Sequence, residues 1–135
     1  MGNNMPDVAL STGSVELGNM LQDMVNTGDF AISVLTDENG FPIASAVRSE
    51  QNTDMLAAVV AVVQRIAHQI KSRLAMEHID EIAVRDETSR TLICRPFLVG
   101  EHRMILGVML AHKKQSYRRL SNKAVRSVKE SWKLL

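Results

Sequence analysis

The chain has one cysteine, Cys94, so no internal disulfide can form and a zinc knuckle has too few thiolates. Aromatic residues make up only 4% of it. A stacking platform for single-stranded nucleic acid needs more, and the two aromatics in the basic C-terminal segment, Tyr117 and Trp132, both fall on its apolar stripe. No apolar run is longer than the nine residues Met55–Val63, whereas a membrane-spanning helix takes roughly 20. The first residues carry neither a basic start nor an apolar stretch of signal-peptide length, and the position that favours myristoylation after Gly2 holds no Ser or Thr. These absences predict a soluble, cytoplasmic protein. Chemical motifs are missing as well: no phosphate-cradling G-x-x-x-x-G-K-[ST], no G-x-G-x-x-G, no G-x-S-x-G. His68, His78, His102 and His112 do not fall at metal-ligand spacing. The expectation is a protein that is not an enzyme and has no catalytic residue, metal or cofactor.

What is present is an ordinary globular composition, 45% apolar and 23% charged over 135 residues, enough for one domain with a short appendage. The net charge of +1 hides an asymmetry. Residues 1–53 hold one Arg against seven acids, net −6; residues 54–110 balance; residues 111–135 hold eight basic residues against one acid, net +7. Such a basic tail suits an acidic protein surface, an anionic membrane or nucleic acid, or is a solvated helix face.

Residues 1–13 are polar and read as a flexible arm. A first helix is expected from about Val15 to Asn26, with Ser14 as N-cap, an apolar stripe through Leu17, Leu21 and Met24, and Gly28 as its stop. Residues 29–36 and 41–47 read as two strands around Asn39-Gly40, a hairpin signal because both residues tolerate positive φ. Pro42 suits a sheet edge. A second helix is expected over 54–76, capped by Thr53 or Asp54. Three strands follow, at about 78–86, 91–99 and 103–111, with short connections that favour antiparallel pairing. Pro96 requires a bulge or an end of pairing within the second of these. The third is apolar on both faces, as a central strand covered on both sides would be. A last helix is expected over 115–133, with a stripe through Tyr117, Leu120, Ala124, Val128 and Trp132 and a basic opposite face. That stripe favours docking on the chain's own sheet.

The second helix carries the functional hint. Its later half is amphipathic, with Val63, Ile66, Ala67, Ile70 and Leu74 facing one way and Gln64, Arg65, His68 and Lys71 another. Its first half, Met55–Val63, is apolar around the whole circumference. One face can cover a sheet; a second apolar face needs a second partner. Ala57, Ala58 and Ala61 lie opposite Val59 and Val63, and small side chains let another helix approach closely. This predicts self-association, with Ala61→Arg expected to split the assembly. Other clusters read more plainly. His78 with Glu77, Asp80 and Glu81 is a solvated strand entrance, since neighbouring strand residues point to opposite faces. Asp37 and Glu38 are turn residues. Cys94 is an inert sheet filler.

The order helix, two-strand hairpin, long helix, three antiparallel strands, helix resembles the Roadblock family, which includes roadblock-type dynein light chains and bacterial and archaeal regulators of Ras-like GTPases. The resemblance rests on Phe30–Ala46 (FAISVLTDENGFPIASA), with its acidic turn ending in Gly40 followed by Phe41-Pro42-Ile43, and spans about residues 14–111. It implies a fold of class α/β (α+β sandwich), roadblock/profilin-like: a five-stranded antiparallel sheet with helices on both faces, in the order α-β-β-α-β-β-β-α. The implied organisation is an arm over 1–13, a roadblock-like domain over 14–111 and a basic amphipathic helix over 112–135 packed on or appended to it. Family members are usually not enzymes, and they dimerise through their second helices and third strands. Here that implies an interface of Ala57, Ala58, Ala61, Val62, Arg65, Ile82, Ala83 and Val84. The implied partners are a second copy and a Ras-like small GTPase, with no nucleic acid and membrane contact not favoured. Arg118, Arg119, Lys123 and Arg126 are candidate partner-binding residues, none singled out as an arginine finger. Two other functions fit the pattern: a PAS- or GAF-like small-molecule sensor, which needs a cavity of roughly 300 Å³ or more, and an adaptor that meets an anionic membrane or filament through the last helix.

Overall fold

The computed structural model describes residues 4–48 and 52–133, with side chains from Ser14 to Trp132 within those stretches. Residues 1–3 of the arm expected over 1–13, part of the polar connection at 49–51 and the Lys133 side chain lie outside the described residues, and the rest of that arm, from Asn4, is helical in backbone. The elements are α1 (Asn4–Gly28), β1 (Ile32–Asp37), β2 (Pro42–Val47), α2 (Thr53–Arg73), β3 (Ile82–Arg85), β4 (Thr91–Val99), β5 (His102–Met109) and α3 (Arg118–Lys133). The expected element order is therefore present. The strands form one antiparallel sheet in the order β2-β1-β5-β4-β3, with β5 at its centre as its two-sided apolar pattern requires.

Alternation along the strands divides the core in two. Leu35, Phe97, Val99, Met104, Leu106 and Val108 turn to one face and pack with Leu17, Leu21, Met24 and Val25 of α1 and Ala124 and Val128 of α3. Ile32, Val34, Leu92, Cys94 and Ile105 turn to the other and meet Leu56, Val60 and Val63 of α2. Gly107 faces α2 as well, and its missing side chain lets the helix come close: a Cβ there would sit 2.7 Å from Val60 Cγ2. The apolar stripe of α3 thus docks on its own domain.

Local departures from expectation have local causes. The helical backbone of α1 begins at Asn4, so the expected start near Val15 with Ser14 as N-cap is corrected. It ends through Asp29, not a glycine: Asp29 takes a φ of 58°, and the Phe30 amide donates back to the Val25 carbonyl. The cap of α2 is Asn52 rather than Thr53 or Asp54, its Oδ1 accepting from the Met55 amide at 2.9 Å. In the β1–β2 hairpin only Gly40 has positive φ, at 88°. Asn39 does not need it, because Asp37 Oδ1 accepts from the amides of both Asn39 and Phe41 and shapes the turn itself.

The third strand is four residues long, not nine, and Pro96 explains why. The Leu110 amide donates to Thr91 O and the Asp86 amide to Arg90 O. In an antiparallel ladder these bonds alternate, so odd-numbered β4 residues bond to β5 and even-numbered ones face β3. The last β3 pair is Ile82↔Cys94. The next even residue is Pro96, which has no N–H to offer, and the ladder stops there. Asp80 O, whose partner would have been that amide, accepts instead from Arg95 Nε at 3.2 Å.

Candidate interaction surfaces

Helix α2 has two apolar faces, and the sheet covers one. Leu56, Ala57, Val60, Ala61, Val63 and Ala67 are buried beneath it. On the opposite side Met55, Val59, Val62, Ile66 and Ile70 make a stripe at intervals of four, three, four and four residues, exposed by 63%, 42%, 44%, 50% and 40%. Five large aliphatic side chains in one row on a single chain form a contiguous apolar patch of the kind that marks an interface. Two sequence-based placements are corrected here. Ala57 and Ala61 point inward, with Ala61 Cβ against Gly40, where a Cβ would come within 2.5 Å. Val63, Ala67, Ile66 and Ile70 do not share one face: the first two are buried, while Ile66 and Ile70 point outward. Ala58, Val62 and Arg65 are exposed.

Strand β3 is one edge of the sheet, β2 being the other, and its outer backbone groups are unpaired by any strand among the described residues. Ala83 and Val84 are exposed and Ile82 is partly buried. Ile82 and Val84 lie on the α2 side of the sheet, opposite Cys94 and Leu92, so the α2 stripe and the β3 edge border one surface.

The acidic residues before β3 converge more than their spacing suggested. Arg95 is 7% exposed, and donates to Ser121 Oγ at 2.8 Å and to Asp80 Oδ1 at 3.2 Å. Arg118 bridges Asp80 Oδ2 at 3.1 Å and Glu81 Oε1 at 2.8 Å, while Tyr117 Oη donates to Glu81 Oε2 at 2.6 Å. Hydrogen bonding from Arg118, followed by the field and hydrogen bond of Arg95, holds the Asp80 carboxyl below its usual range despite some desolvation. Burial pushes the Tyr117 hydroxyl up, with the neighbouring Glu81 adding to the shift. The solvated strand entrance expected at His78–Glu81 is therefore half right: His78 is exposed, but Asp80 and Glu81 clamp α3 to the approach to β3. Residues 15 and 38 positions apart make this clamp, and only the pairing of Asp80 opposite Pro96 could have signalled it.

Of the four candidate partner-binding cations, Arg118 is thus already paired, whereas Arg119, Lys123 and Arg126 are exposed on α3. Lys123 borders a cleft against Asp23 of α1. Cys94 is buried beneath α2, and desolvation pushes its thiol up to about 12. Among the described residues no group of three or more His, Cys, Asp or Glu side chains is placed to hold a metal, and no helix is long and apolar enough to cross a membrane. The gap beneath the later half of α2, bounded by Ala67, His68, Phe97 and Met104, holds about 70 Å³. A small-molecule sensor would use roughly 300 Å³ there; hollows of about 300 to 440 Å³ lie instead at the surface, around the hairpin turn, Trp132 and α3.

This arrangement of a five-stranded antiparallel sheet between α2 on one face and α1 with α3 on the other is the roadblock fold, also called Roadblock/LC7. The gliding protein MglB from Thermus thermophilus superposes with a TM-score of 0.72 at 15% identity, covering 91% of this chain and 93% of that one. An MglB with a tetrameric arrangement gives 0.72 at 17% identity, with 88% and 89% covered. A Roadblock/LC7 domain from Streptomyces avermitilis gives 0.70 at 14% identity, with 87% and 95% covered. No protein-family model matches the sequence, and no curated protein matches it.

Proposed function

We propose that the chain is a non-enzymatic regulator or scaffold that acts as a homodimer and binds a Ras-like small GTPase. The observation that carries this reading is the outward stripe Met55–Val59–Val62–Ile66–Ile70 beside the open β3 edge. Pairing two copies of α2 removes that stripe from water, and joining two β3 edges gives their free amides and carbonyls partners; both can happen in one two-fold arrangement. Val62 is the middle residue of the stripe with Ala58 beside it, and Ile82, Ala83 and Val84 supply the strand side. The roadblock fold, the likeness to MglB and the family resemblance in Phe30–Ala46 support the GTPase as partner. The GTPase brings its own nucleotide and magnesium; a regulator of this kind works by holding the switch loops in one arrangement.

The test is mass in solution together with binding to a Ras-like GTPase from the same genome, loaded with GDP or a GTP analogue. The expected result is twice the 15.0 kDa of one chain and a measurable nucleotide preference. Val62→Asp should return the mass to a single chain, because an unpaired charge buried in an interface costs several kcal/mol, about 3 or more. A strict monomer that binds no such GTPase in either state rejects the reading.

A further inference from the structure

The stripe and the β3 edge leave a second feature of the molecule unused. Beyond Ile82↔Cys94, β4 runs on to Val99 with a strand partner on one side only, β5. By the alternation already established, the Pro96 carbonyl and both backbone groups of Leu98 face that uncovered edge. Among the described residues the Leu98 amide makes no backbone bond outside the sheet, and its side chain is 49% exposed. Alongside runs a groove of about 390 Å³ between this edge and α3, lined by His78, Arg95, Pro96, Phe97, Arg126 and Lys129, with Asp80 its one carboxylate. Asp80 is already taken by Arg95 and Arg118. Arg126 and Lys129 form no ion pair among the described residues. Lys129 also borders the adjoining hollow beside Leu98, Val99 and Trp132, so the cationic wall and the open backbone edge meet.

We propose that this groove binds an extended acidic segment of a partner protein, which bonds to the β4 edge at Leu98 while its carboxylates pair with Arg126 and Lys129. An extended peptide on a free sheet edge gains main-chain hydrogen bonds, and alternate side chains then reach the flanking wall. Charge selects the occupant: the groove along α3 has cations in excess, its one carboxylate, Asp80, is already paired, and Glu101 lies beyond it in the adjoining hollow. A flat anionic membrane fits less well. It would meet the crest of this layer, where Arg119 and Lys123 are accompanied by Glu130, Asp23 and Glu16, all exposed. Nucleic acid is disfavoured because the only aromatic in the groove, Phe97, is buried in the core. The site lies on the sheet face opposite α2 and needs no second copy of the chain, so it stands apart from the dimer reading.

The experiment uses the full chain and a labelled peptide of alternating Glu and Thr, read by fluorescence anisotropy, beside its Gln–Thr counterpart. The Glu peptide should bind at least about tenfold more tightly than the Gln peptide, and weaken as salt rises from about 50 to about 300 mM. Arg126→Glu with Lys129→Glu should lose about tenfold in affinity. Amide exchange at Leu98 should slow in the complex, which diffuse charge attraction would not produce. Val62→Asp should bind the peptide as the parent does, so that loss of the dimer and loss of the groove are separately visible. Equal binding of the two peptides, or an unprotected Leu98, overturns the proposal. Tighter binding to phosphatidylcholine vesicles with about 30% phosphatidylglycerol, dependent on Arg119 and Lys123, overturns it in favour of a membrane.

Discussion

At the scale of single residues, Gly40 holds two requirements at once. Its φ of 88° lies where L side chains are strained, and its missing side chain accommodates Ala61. Gly40→Ala should therefore cost about 2 kcal/mol in urea unfolding. Adding Ala61→Gly should return the steric share but not the backbone share, so recovery should be incomplete. The same contact redirects the expected effect of Ala61→Arg: the new side chain would be driven into the hairpin and damage the fold instead of splitting an intact dimer. Asp80 offers a test of sign. Its carboxyl is held below the ordinary value of 3.8, first by Arg118. Folding therefore favours the charged form, and the gain is complete above about 3.8 and lost as pH falls through the lowered value. The carboxylate is 61% exposed, so screening by solvent limits its worth to about 1 kcal/mol or less. Thermal melts should show the parent more stable than Asp80→Asn at neutral pH, with the difference vanishing below the ordinary carboxylate range.

At the scale of elements, the two faces of α2 should respond oppositely to one substitution. Ala57→Arg places a charge under the helix and should cost about 3 kcal/mol or more by unfolding; Val62→Arg places it in the outer stripe and should leave the single chain folded. Circular dichroism beside light scattering separates the two. Periodicity could announce that α2 has two apolar faces but not which one turns inward. Met55–Val63 is apolar on every side and carries no phase, and the choice is made by Gly40 and Gly107, two small residues distant in sequence that admit Ala61 and Val60. The strands were more legible, because alternation and turn residues are local: β4 has the expected limits, 91–99. The shortening of β3 was written in Pro96 but visible only once the register was known. The Arg95–Asp80–Arg118 clamp has one faint trace, Asp80 falling opposite Pro96, because ion pairs between distant elements leave no periodic mark.

At the scale of the molecule, each sheet face has a different employment. The α1 and α3 layer is closed over its own core, while the α2 layer presents apolar surface outward. A dimer built on that surface should melt at a temperature that rises with protein concentration, whereas Val62→Asp should melt at one independent of it. The buried thiol of Cys94 supplies a clock for the same events. It is the sole cysteine, it lies in the second core cluster under α2, and burial keeps it protonated at neutral pH. A maleimide in ordinary buffer can therefore react only in the moments when α2 lifts away, and its rate counts those openings without a probe having to be engineered in. If a second copy holds α2 down, alkylation should slow as the chain is concentrated.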